Sequence, residues 1–109
     1  MPYRVVIVTA SNAAEAKKIS MILLKEKLAA CVNVVPKISS SYWWNGKIET
    51  ASEALLVIKT KKSLVPKLIR KVKNIHSYSV PEVIALPIAD GYPPYLAWVR
   101  SFVARARPK

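Results

Sequence analysis

Two periods of hydrophobic spacing run through the chain, and they divide it into elements. Tyr3 to Thr9 (YRVVIVT) is β-branched and nearly continuous, the pattern of a strand buried on both faces. Asn12 followed by Glu15 is a helix start, an Asx N-cap with an acid three residues later. The helix runs to about Leu28, with Ala16, Ile19, Leu23 and Lys27 in step and Ile22 and Leu24 widening the stripe. Ala30 to Val35 reads as the next strand, and Pro36 requires a bulge or an edge position there. Asn45-Gly46, between aromatic and β-branched flanks, is a two-residue hairpin turn in which both residues need positive φ. Residues from about 37 to 60 therefore form one long hairpin, returning through Ala54 to Ile58.

A second helix starts with Ser63 as its cap. Leu64, Leu68, Val72 and Ile75 share one face, and Pro66 lies in the first turn, where a missing N–H costs little. Val83 to Ile88 is a further strand, with Pro87 suited to an edge or a terminus. Gly91 to Pro94 is a turn that places Pro94 at the first helical position. Tyr95, Trp98, Val99, Phe102 and Val103 form the apolar stripe of a last helix. The order β-α-β-β-α-β-α predicts an α+β fold. Its first six elements make the ferredoxin-like split βαβ arrangement, with a long β2–β3 hairpin and an extra C-terminal helix. With 109 residues and no linker or repeat, residues 1–109 are expected to form one domain.

Trp43 and Trp44 are adjacent, so in a strand they point to opposite faces. One can enter the core of its own subunit. The other meets water or a neighbouring subunit, because a hairpin that projects beyond a small domain leaves edges for a second copy to pair with.

Composition narrows the classes. Apolar residues make up 52%, enough for a core, and no run approaches the length of a membrane helix. The start lacks the long apolar stretch of a secretory leader, and the single cysteine, Cys31, fits a reducing compartment. A cytoplasmic protein with no membrane partner is the expectation. Eighteen Lys and Arg against six acids give a net charge of +12, which favours anionic partners.

LAACVN (28–33), YWWNGKIE (42–49), LLVIKT (55–60), PEVIALP (81–87), Gly91 and YLAW (95–98) follow one another in an order that resembles the CutA family of divalent-cation tolerance proteins. The resemblance runs from about Tyr3 to Arg100. It implies a ferredoxin-like subunit, a homotrimer built through the long hairpins, and a link to copper and other divalent metals. It also implies kinship with P-II-type signalling trimers, which bind small effectors between subunits. Tyr42, Trp43, Trp44, Lys59 and Tyr78 are the residues expected at the subunit interface or its cleft. Some members place a second histidine before the one matching His76, where this chain has Ile75. Some carry a cysteine in the first strand, where this chain has none.

His76, Cys31 and Glu82 are the candidate metal ligands. Neutral imidazole is the commonest transition-metal ligand, but a histidine at a helix C-terminus also sits well against the dipole. A thiolate at Cys31 would bind soft Cu(I), while a free cysteine in a strand also packs as a small hydrophobe. Glu82, at the mouth of a strand, can ligate a metal or pair with a base such as Lys59. No obligatory cofactor is expected. No nucleophile elbow, zincin helix or phosphate loop occurs, so a non-enzyme is expected.

Lys59, Lys61, Lys62, Lys67, Arg70, Lys71 and Lys73 form an acid-free basic segment, and the tail adds Arg100, Arg105, Arg107 and Lys109. The aromatics are not interleaved with these bases as a single-strand stacking platform needs, so nucleic acid is not the expected partner. A small anionic effector between subunits is the alternative that the positive balance favours.

Overall fold

The computed structural model describes residues 2–104, so Arg105, Arg107 and Lys109 of the basic tail lie outside the described residues. The elements are β1 (Tyr3–Ala10), α1 (Ala13–Lys25), β2 (Cys31–Trp44), β3 (Lys47–Lys61), a 3-10 turn (Lys62–Leu64), α2 (Val65–Ile75), β4 (Val83–Pro87) and α3 (Pro93–Ser101). The four strands form one antiparallel sheet in the order β2-β3-β1-β4, the ferredoxin-like arrangement that the element order predicts.

The two sheet faces differ. Val6, Val8 and Ala10 of β1 and Ala54, Leu56, Ile58 and Thr60 of β3 alternate onto one face and are buried. Ala16, Ile19 and Leu23 of α1 and Leu68 and Val72 of α2 close that core. The opposite face carries Val5, Ile7, Leu55, Val57, Ile84 and Leu86, with only partial cover within the chain. Tyr3 at one end packs with Leu96 and Val99 of α3.

The hairpin turn is as the sequence predicts, with Asn45 at φ 51 and Gly46 at φ 75. A bulge falls between Val35 and Ile38, beside Pro36. It has a structural consequence: β2 advances three residues while β3 advances two, from Leu55 to Glu53. Even-numbered Tyr42 and Trp44 thereby join odd-numbered Val35 and Asn33 on the open face.

Four sequence expectations are corrected. α1 ends at Lys25 rather than Leu28. Lys27 adopts φ 57, and Lys27 N–H to Leu24 O and Leu28 N–H to Leu23 O close a Schellman motif without glycine. Ser63 does not cap α2, because the chain enters through the 3-10 turn and Ser63 lies within it. Pro93 takes the first helical position of α3 and Pro94 the second. The α3 stripe is split: Val99 and Val103 are buried, whereas Tyr95, Trp98 and Phe102 are exposed, Tyr95 stacked on Trp98 and Phe102 tilted against it, with ring centroids 5.7 and 5.3 Å apart.

Candidate functional site

The segment after α2 is anchored by Glu15. Asn12 Oδ1 accepts the Glu15 N–H at 2.8 Å, the N-cap bond read from the sequence. The Glu15 carboxylate turns outward from there. It accepts the N–H and hydroxyl of Ser11 at 2.9 Å each, and the N–H and hydroxyl of Ser77 at 2.8 and 2.9 Å. Burial alone would raise its pKa. The bonds from Ser11 and Ser77 outweigh that and hold it at about 2.

His76, the C-cap of α2, has a fully buried side chain. Its Nε2 lies 2.7 Å from Thr9 O, and its Nδ1 accepts the Tyr78 N–H at 3.0 Å. A carbonyl can only accept and a backbone N–H can only donate, so the ring is the neutral Nε2–H tautomer. Neither ring nitrogen has a lone pair free for a metal in this arrangement. The His76 and Tyr78 rings meet at a tilt of 46°, centroids 4.7 Å apart, at the turn that presents Tyr78.

Tyr78 donates its hydroxyl to Glu53 Oε2 at 2.7 Å. Burial, the bond to Glu53 and the charges of Glu53 and Glu15 push its pKa up to about 12, so it stays a phenol and a donor. This pair lines an open cleft of about 730 Å³ together with Thr9, Tyr42, Trp44, Glu49, Ser79, Val80 and Glu82. The bulge in β2 brings Tyr42 and Trp44 to this face, and the bend after α2 brings Glu82.

Of the sequence candidates, Glu82, Tyr42, Trp44 and Tyr78 meet in the cleft. Trp43 lies on the other face of the hairpin. Contrary to expectation, neither tryptophan enters the core: Trp43 is 74% and Trp44 62% exposed, because the hairpin runs past the helices that would cover them. Cys31 and Lys59 face each other across β2 and β3, level with Val5. The cleft begins at Thr9, so both lie about 13 Å away along the sheet at ~3.3 Å per residue. Lys59 Nζ bonds Asn33 Oδ1, and Cys31 lies beside Asn33 and Tyr95. Burial, then the neighbouring Cys31, raises the Tyr95 pKa.

His76, Cys31 and Glu82 are therefore not brought together. Among the described residues, no three His, Cys, Asp or Glu side chains converge into a metal-holding group. Glu53 is the cleft carboxylate that the sequence reading passes over, while Glu49 reads there only as a solvated or salt-bridged acid. The available signal was their spacing of four in a strand, which puts both on the face of Tyr42, the partner of Glu49 in the ladder.

Fold and cleft together define a ferredoxin-like protein with an elongated hairpin and a carboxylate-lined recess along it, from Thr9 and Glu53 at its root to Trp44 near its tip. The model of the CutA1 divalent ion tolerance protein family matches residues 4–101, and the chain belongs to that family. It is 50% identical over 101 residues to the chloroplastic protein CutA 1 of Oryza sativa subsp. japonica, covering 93% of this chain and 57% of that one. It is 46% identical over 96 residues to the divalent-cation tolerance protein CutA of Thermus thermophilus, covering 88% and 93%. The crystal structure of CutA1 from Oryza sativa superposes with a TM-score of 0.94 at 48% identity, over 97% of each chain. The chain spans little more than half the length of the plant and mammalian relatives it matches.

Proposed function

We propose that this chain is the subunit of a homotrimeric divalent-cation-binding protein, working in a reducing, cytoplasmic setting, and that the cleft along the hairpin takes the cation. One observation carries this reading. Glu49, Glu53 and Glu82, half of the six acids in a chain of net charge +12, line a single recess, though within one chain they do not converge on one point. A random scatter of so few acids would leave them paired with the abundant bases. The family description and the name of the Thermus relative, both of which speak of divalent ions, point the same way.

The donors in the cleft are carboxylate, phenol and hydroxyl oxygens. These suit Mn(II), Mg(II) or Ca(II), and copper as Cu(II), rather than soft Cu(I), which would want the distant Cys31 thiolate. A neighbouring subunit covering the open side would complete the donor set. The same carboxylates oppose a small anionic effector in this cleft, so the P-II-like alternative has no observation in its favour here.

Calorimetric titration of Cu(II) and Mn(II) into the metal-free protein tests the reading. Wild type is expected to bind at micromolar concentration or below. Glu49→Gln with Glu82→Gln should weaken binding by about tenfold or more, and Cys31→Ser should leave it unchanged. Binding no tighter than millimolar, or binding lost with Cys31 and kept without the carboxylates, overturns it.

A further inference from the structure

The fold separates the charges. The cleft holds half the acids, and the helical layer on the other side of the sheet holds much of the base. Lys17, Lys18 and Lys25 of α1 and Lys67, Arg70 and Lys73 of α2 are all exposed there. The acids of this layer are both engaged: Glu15 is bound to Ser11 and Ser77, and Glu26 pairs with Lys71 at 2.8 Å. The excess positive charge of the two helices is therefore not neutralised among the described residues.

Between the end of α1 and α2 lies a groove of about 280 Å³, lined by Glu26 and Leu28 after α1 and by Lys67, Arg70, Lys71 and Asn74 of α2. The four α2 residues stand at i, i+3, i+4 and i+7 of one helix, so they form a single row of donors. At 1.5 Å per residue the row is about 10 Å long. A duplex strand carries one phosphate per ~3.4 Å of axis but winds around that axis, so a straight row of this length reaches about two phosphates. Arg70 offers a bidentate fork, Lys67 a point charge and Asn74 an amide donor, while Lys71 is held by Glu26.

We propose that the outer face of α1 and α2 binds the phosphate backbone of double-stranded nucleic acid, without reading its sequence. Two features select this anion. The face carries no aromatic side chain, so it lacks the stacking groups that single strands require, a lack that does not weaken binding to a duplex. Met21 and Ile69 are its exposed large apolar residues, while the helices' apolar stripes are spent on the core, so it has no hydrophobic face to seat in a lipid interface.

Fluorescence anisotropy with a short labelled DNA duplex of mixed sequence tests the proposal on the intact protein. Wild type is expected to bind with little dependence on sequence. Affinity should fall about tenfold or more between about 50 and 200 mM KCl. Lys67→Glu with Arg70→Glu should weaken binding by about tenfold or more. Lys37→Glu with Lys47→Glu changes net charge equally, lies on the hairpin, and should have a much smaller effect. Circular dichroism checks that both pairs remain folded. Three results overturn the proposal: equal losses from the two pairs, no duplex binding at the lower salt, or stronger binding to phosphatidylserine vesicles or to inorganic polyphosphate than to duplex.

Discussion

Glu15 is the residue on which the two helices and the cleft loop converge. Its carboxylate accepts from Ser11 before α1 and from Ser77 after α2, joining segments far apart in sequence. Glu15→Gln keeps the shape but removes the charge that shortens and strengthens those bonds. The expected cost is about 1–2 kcal/mol at neutral pH, read from urea unfolding. The sign with pH follows from the depressed pKa. The stabilisation is fully present above the ordinary value of 4.5 and is lost as pH falls towards about 2. The gap between wild type and variant should therefore close across that acid window. A gap that stays constant down to pH 2 would mean the charge itself contributes nothing.

At the scale of elements, the hairpin was legible and the cleft was not. Asn45-Gly46 announces its turn because type I′ geometry needs positive φ at both positions, a local requirement written in two residues. Open space surrounds a Cβ built on Gly46, so Gly46→Ala is expected to cost about 1 kcal/mol through backbone torsion alone. The loss should appear as faster hydrogen exchange in the amides pairing Tyr42–Trp44 with Lys47–Glu49, with the base of the sheet unchanged. The cleft depends on two facts that no local pattern holds. One is the bulge, which Pro36 hints at but whose offset decides the face of every later residue in β2. The other is that the end of α2 lands beside the end of β1, which puts His76 against Thr9 O and turns a candidate ligand into a packed, doubly bonded support. The α3 stripe misled for a related reason: Tyr95, Trp98 and Phe102 recur at helical spacing, yet the small surface beside Tyr3 has room for Leu96 and Val99 and not for three rings.

The whole molecule is elongated and leaves one sheet face partly uncovered within the chain. Its radius of gyration is 14.6 Å and its longest extent 45 Å against 27 and 24 Å, while a compact domain of about 100 residues measures about 13 Å. The excess length is the hairpin, whose tip exposes Trp43, Trp44 and Ile48. Behind it lies the open sheet face, where Val5, Ile7 and Val57 meet the exposed Ile84 and Leu86 of an edge strand. An apolar face of this extent beside an unpaired edge is an association surface or an aggregation hazard. Association through it would leave the basic helices outward and bring the carboxylate cleft against a second chain, so one arrangement serves both proposed surfaces. Ile84→Glu with Leu86→Glu tests this without opening the core, since both side chains are already about half exposed. Light scattering is expected to read a trimer for wild type and a folded monomer for the variant. Cation affinity in the cleft should fall along with the loss of assembly, because a single chain leaves the donor set open. A variant that stays trimeric would move the interface away from this face. A monomer that binds the cation as tightly as wild type would show that the three carboxylates suffice alone.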